Sequence, residues 1–443
     1  MHKTRKRISI LAALFAALAT TAISQVNTYS PYTRFGLGDL SQEGFGQNMG
    51  MGGTGIAMRD ENKLNYLNPA AYTARDSMSV LLDFGMTGYK NSYKTNELTS
   101  GNELTSEWYN ANFHHLALSV PIGKNFAMGT GIVPYSSVGY NLKQEYNELG
   151  TGDAIDYYFK GNGGVLKYFL GLSAEMFNRI SVGVNMNYLH GDITRQRQIT
   201  FPKNRGFAET KALEEIVIGH TYFGFGLQYK EVFGEKFFFT LGGTYDMETK
   251  LNSAFNSSVT NTFPGEGFAI NDSVVVKPDV DIINDQSDKS ITLPMKIGVG
   301  LAFGIPGKLT VTGDYMQQDW ASIDNATLLP QGSYDLAVAT SLRAGIEYTP
   351  DFEAFRGYYN LMSYRLGGFM NESYVKIGDY QLNDYGITFG VGLPLGRTKS
   401  SLNIAFTYGS RGTLENNLIK ENYGILTFNV TLHDLWFFKR KYE

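Results

Sequence analysis

The sequence predicts an all-β protein: a 14-stranded antiparallel transmembrane β-barrel whose lumen is plugged by an amino-terminal segment. Three observations carry this reading. The chain is rich in Gly (50 of 443 residues) and in aromatics (14%), yet only 18% of its residues are charged, against about 25% in soluble proteins. From about residue 78 it falls into segments of period two, the strand signal. Beyond the amino terminus, no stretch approaches the ~18 continuous apolar residues of a spanning helix.

The compartment follows from the first residues. Lys3, Arg5, Lys6 and Arg7 precede an apolar run from Ile8 to Ile23, with small Ala22 and Ser24 placed three and one residues before Gln25. This is the pattern of a secretory signal peptide over 1–24, and the apolar run is short for a membrane helix. Its removal takes the net charge from −4 to about −8 by loss of four cations. Such a balance gives no reason to expect nucleic acid. An exported chain of this composition belongs in the outer membrane of a Gram-negative cell. The absence of Cys excludes a disulfide scaffold, a thiolate metal site, a Cys nucleophile and an iron–sulfur cluster.

The strands read clearly. Ile180, Val182, Val184, Met186 and Tyr188 alternate with Ser181, Gly183, Asn185 and Asn187. The pattern recurs at Ile297–Phe303, Tyr385–Leu393, Leu402–Tyr408 and Leu426–Leu432. One face is large and apolar, the other small and uncharged, as lipid outside and a crowded lumen inside require. Strands are expected over 78–93, 108–121, 125–147, 154–176, 179–200, 212–233, 235–252, 289–305, 307–320, 334–350, 359–371, 383–396, 399–411 and 421–437. The count is even, as in single-chain bacterial barrels. Connections alternate between tight ones, such as 122–124, 177–178, 233–234 and 396–398, and longer polar ones at 94–107, 201–211, 253–288, 321–333, 372–382 and 412–420. Short periplasmic turns alternating with long external loops is the outer-membrane topology. Aromatic clusters at 157–159, 237–239, 358–359 and 436–438 suit interfacial girdles.

Fourteen strands enclose more space than wall side chains fill. Residues 25–77 lack long β alternation and contain a Gly-dense run (Gly50, Gly52, Gly53, Gly55), followed by Asn65-Tyr66-Leu67-Asn68-Pro69-Ala70. Small residues allow close backbone packing, and irregular backbone at membrane depth is tolerated only inside protein. These residues, with Gly55-Ile56-Ala57-Met58-Arg59-Asp60 and the segment Ser30–Asp39, resemble the hatch of the FadL family, in a Bacteroidetes branch. The resemblance implies a fourteen-stranded barrel plugged by an amino-terminal hatch containing Gly52, Gly53, Gly55, Asn68, Pro69 and Ala70. It also implies a lateral opening beside a kinked third strand. In this chain that strand is 125–147, with Gly131, Pro134 and Gly139; the same residues also suit an ordinary bulge in a long strand.

Chemistry is weakly signalled. His114, His115, His190, His220 and His433 outlast maturation, but no G-x-S-x-G elbow is present. No catalytic residue, metal ligand or cofactor is assigned. Adjacent His114 and His115 are expected to point one ring into the lumen and one toward the wall. The acids Asp279, Asp281, Asp285 and Asp288 fit no twelve-residue calcium loop and read as a solvated external loop. The same loop carries Phe263, Phe268 and Ile270, an apolar group suited to a greasy ligand or to packing on the rim. The function expected is passive, non-enzymatic passage of hydrophobic compounds such as long-chain fatty acids, with outer-membrane lipid as surroundings. The alternative is a barrel serving a secretion or assembly complex through a protein partner. An open porin is disfavoured by the plug.

Overall fold

Period-two segments become the staves of one closed antiparallel barrel. The computed structural model describes residues 29–75, 78–96, 103–146, 155–201, 208–234, 236–262, 280–323, 334–354, 356–396 and 399–435. A two-residue strand, β1 (Asp39–Leu40), lies in the amino-terminal segment. The wall is built from β2 (Ser79–Asn96), β3 (Glu103–Pro121), β4 (Phe126–Tyr146), β5 (Ile155–Met176), β6 (Ile180–Thr200), β7 (Glu209–Phe233), β8 (Phe237–Asp246), β9 (Thr249–Thr262) and β10 (Val280–Leu293). It continues through β11 (Lys296–Ile305), β12 (Leu309–Asp319), β13 (Tyr334–Leu336), β14 (Val338–Tyr348), β15 (Ser363–Ile377), β16 (Tyr380–Pro394), β17 (Ser401–Arg411) and β18 (Lys420–Leu435). β8 with β9, β10 with β11, and β13 with β14 each form one interrupted stave, so fourteen staves close where β18 pairs β2 from Lys420↔Lys94 to Leu435↔Ser79.

Alternation sets the faces. Ile297, Val299, Leu301 and Phe303 point outward and exposed, as do Tyr385, Ile387 and Phe389. Between them Gly298 and Gly300 face the lumen against Ile56. Phe237, Tyr358 and Tyr359 are exposed apolar residues near the tight-turn end; the aromatic group at 436–438 lies outside the described residues.

Three expectations are corrected. The stretch 253–288 is not a loop throughout: β9 and β10 pair from Thr249↔Leu293 to Asn261↔Val280. Asp281, Asp285 and Asp288 therefore stand in β10, while Phe263, Phe268, Ile270 and Asp279 lie outside the described residues. The interruptions before β9 and after β10 slip the alternation by one residue. Outward Leu241 and Tyr245 give way to inward Leu251, and inward Ile291 and Leu293 to outward Ile297. A one-residue slip exchanges the faces, which hides the pattern. Second, 372–382 is a tight turn, since Ile377 pairs Tyr380 around Gly378 (φ +58°). Third, both His114 and His115 are buried and touch through their rings. Gly85 pairs His115 and Met86 pairs Phe113, so His114 is the extra residue of a bulge, which re-aims its side chain.

Two apolar clusters lie inside the barrel. One gathers Leu37, Val138, Leu189, Ile216, Leu251, Ile291, Trp320 and Tyr374. The other joins Phe45, Leu64, Tyr66 and Tyr72 to Leu81, Val133 and Phe169 of the wall.

Candidate functional site

Residues 29–75 pack within the ring of staves, and bare wall positions let them do so. Asn68 starts the short 3-10 turn Pro69–Ala74 and accepts from the Ala70 amide at 3.0 Å. Its Nδ2 donates to the carbonyls of Ile56 (2.8 Å), Leu227 (3.2 Å) and Gly243 (3.3 Å). A side chain on Gly226 would strike Asn68 and Pro69, and one on Gly183 would strike Pro69 and Ala70. Gly52 and Gly53 turn with φ of +70° and +82°, where a Cβ is disfavoured. The Gly52 amide donates to Thr388 Oγ1 at 2.8 Å. The amides of Gly55 and Ile56 both donate to Asp314 Oδ2, at 2.6 and 2.9 Å.

Charges complete the attachment. Glu43 pairs with Lys167 (3.4 Å) and Lys296. Burial alone would raise the Glu43 carboxyl, but these lysines outweigh it and hold it well below its ordinary range. Arg59 pairs Glu175 at 2.9 Å and donates to Ser181. Lys63 pairs Glu347 at 2.9 Å, and Arg365 pairs the same carboxylate. Arg411 pairs Asp39 at 2.9 Å. Glu175 and Glu347 lie toward the tight-turn end, so ion pairs tie the inner segment to the wall there. Sequence reasoning missed these residues. Their signal was the rarity of charge on lumen faces: Lys167, Lys296, Asp314, Glu347 and Arg365 interrupt otherwise small, neutral rows.

Among the described residues, the wall parts between β3 and β4. β3 and β4 pair only from Pro121↔Ala127 to Leu116↔Ile132. Beyond that point β3 continues against β2 and β4 against β5. The register of β4 shifts between Pro134 and Ser136, making Tyr135 a bulge residue. β1 lies along the exposed edge of β4, Asp39↔Ser137 and Leu40↔Ser136. The Ser41 amide donates to the Tyr135 carbonyl (2.9 Å) and the Ser30 amide to the Gly139 carbonyl (2.8 Å). Gly131 sits in the last paired stretch, opposite Ala117. A cavity of about 260 Å³ reaches these parted edges at Phe113 and Pro134 and runs inward to Glu43, Lys296, Arg343 and Tyr374.

The buried histidines form a chain at the closing seam. His115 Nε2 lies 2.5 Å from Asp83 Oδ1, Thr431 donates to the other Asp83 oxygen at 2.6 Å, and Phe45 stacks on the His115 ring at 3.9 Å. The His115 ring nitrogens meet His114, Asp83 and Asn429, contacts that tie β3 to β2 and β18. Among the described residues, no group of three or more His, Asp or Glu is arranged to hold a metal.

Fourteen closed staves with an apolar exterior and a charged interior define an outer-membrane β-barrel. The chain belongs to the BamG family, whose model matches residues 5–443. It is similar in structure to the toluene transporter TodX of P. putida, with 14% identity, TM-score 0.60 and coverage of 90% of this chain and 99% of that one. A FadL homologue of Pseudomonas aeruginosa shows 11% identity and TM-score 0.56, covering 91% and 100%. The toluene transporter TbuX of Ralstonia pickettii shows 14% identity and TM-score 0.53, covering 88% and 98%. No curated protein matches the sequence.

Proposed function

We propose that this barrel passively transfers a hydrophobic or amphiphilic molecule between its lumen cavity and the surrounding lipid, with residues 29–75 acting as its hatch. The carrying observation is the parting of β3 from β4 beyond Leu116 and Ile132, reached by the cavity. Gly131, Pro134 and Gly139 would frame the opening. Asn68, Pro69, Ala70, Gly52, Gly53 and Gly55 would keep the hatch seated while ligand moves past it. At about 260 Å³ the cavity lies just below the ~300–1,000 Å³ of small-molecule pockets. It suits a compact apolar molecule, or the polar end of a fatty acid beside Lys296 or Arg343 with its tail in the gap. Each methylene so buried gains about 0.8 kcal/mol, and no bond is made or broken. The structural likeness to the toluene transporters TodX and TbuX supports the compact ligand.

Native mass spectrometry of protein extracted mildly from its own membranes tests this, beside a variant lacking Tyr135. A bound apolar molecule, lost when deletion of the bulge residue lets β4 straighten, supports transfer. An empty lumen in the wild type, or retention of ligand in the deletion, overturns it.

A second reading, a component of a secretion or assembly complex, is favoured by one observation. Ion pairs tie the inner segment to the wall at the tight-turn end, while Glu103–Tyr109 of β3 stands exposed at the other. A stoichiometric protein partner with an empty lumen would establish it.

A further inference from the structure

The parted wall leaves two strand edges, and they are treated differently. The β4 edge is covered by this chain's own β1 and by the amides of Ser30 and Ser41. The β3 edge has no such cover: among the described residues, no strand pairs Glu103–Tyr109 on the side away from β2. Every residue from Glu103 to Tyr109 is exposed, although the Trp108 ring rests on Tyr29.

The chemistry of the stretch limits what can bind it. A free strand edge presents alternating amides and carbonyls whose complement is another extended backbone. On one face, Glu103 and Glu107 pair with Lys94 (2.6 Å) and Lys90 (3.3 Å) of β2. These charges place the stretch in water beyond the apolar band, where a lipid tail does not fit. On the other face lie Leu104 (52% exposed) and Trp108, whose ring stacks on Tyr29 at 4.4 Å. The edge thus carries balanced ion pairs on one face and apolar Leu104 and Trp108 on the other.

We infer that Glu103–Tyr109 of β3 is a strand-addition site for an extended segment of an extracellular partner protein. The added strand carries apolar residues toward Leu104 and Trp108 and polar residues beside the Glu103–Lys94 and Glu107–Lys90 pairs. This rests on the reading of the barrel as a component of a complex, and it names the surface such a partner uses. It follows the precedent inside the molecule, since the opposite edge is completed by strand addition from residues 39–40.

Hydrogen exchange tests it on the full-length protein, in its native outer-membrane vesicles and after purification in detergent. The expected result is at least tenfold slower exchange of the 103–109 amides in the vesicles. A Leu104→Lys, Ser106→Lys variant blunts the edge and should abolish that protection, while the β2–β18 seam amides stay protected. Equal exchange in both settings, or protection that survives the two lysines, overturns the site. Protection that appears in detergent and grows with protein concentration also overturns it, by showing a second copy as occupant. If a stoichiometric partner co-isolates but 103–109 exchanges freely, this surface fails and the component reading stands. If no partner co-isolates and the segment exchanges freely, both fail.

Discussion

Leu116 and Ile132 are the last residues at which β3 and β4 face each other. One register step further the two strands follow different neighbours, and the wall there becomes two edges. The bulge at Tyr135 lies just past this point, and bulges bend the strand that carries them. The inner segment enters there, with β1 laid on the β4 edge.

Asn68→Ala should loosen the inner segment and spare the wall. Asn68 is fully buried and bridges Ile56, Leu227 and Gly243. Its removal uncaps the Ala70 amide and takes a donor from each of those carbonyls, although Gln228 still donates to Ile56, at a cost of about 1–3 kcal/mol. Limited proteolysis should cut within 29–75 several-fold faster than in the wild type, with unchanged heat-modifiable gel mobility of the barrel.

Gly226→Val tests the seat from the opposite side. Val suits a strand, so the stave itself should tolerate it, but its side chain collides with Asn68 and Pro69. Single-channel conductance in planar bilayers should rise as the segment is displaced. Gly243→Ala is the control, because nothing lies within 4 Å of a Cβ there. Its conductance should match the wild type.

Glu43 sets an acid limit. Its folded carboxyl titrates below the ordinary 4.5, since Lys296 and Lys167 outweigh the effect of burial. A carboxyl depressed on folding contributes fully above its unfolded value of about 4.3 and loses that contribution as pH falls through the folded one. The share of protection of 29–75 that Glu43 supplies, read as the difference between wild type and Glu43→Gln, should therefore be flat from about pH 5 to 8 and fall only in stronger acid. Glu43→Gln leaves two lysines without their anion, and breaking such a buried pair costs about 3–5 kcal/mol. In this variant protection should be reduced across the whole range.

His115→Leu should weaken the seam locally. It leaves Asp83 held by Thr431 and Asn429 alone and removes the ring stacked on Phe45. We expect a lower thermal midpoint by circular dichroism, with the barrel still forming. An unchanged midpoint would show that the His115–Asp83 contact carries no stability.

Much of the wall was legible because lipid imposes one rule on every strand: large apolar side chains at every second position. That rule located β5, β6, β16 and β17 to within a few residues. It failed over β9 and β10, whose Ser-, Asn- and Thr-rich sequences extend beyond the apolar band and whose alternation slips at the breaks near Met247 and Pro294. It also misplaced His114, because a single extra residue reverses a side chain and nothing local marks which residue is extra.

The sequence by itself determined the closed fourteen-stave barrel and the segment with room to lie inside it, since periodicity, small lumen residues and loop parity are local properties that one chain displays in order. Only the tertiary structure decided which charges meet, that Glu43 stands between Lys167 and Lys296, and that β3 and β4 part after Leu116. Those relations join residues tens to hundreds of positions apart, and their energies depend on burial and register that exist only once the barrel has closed.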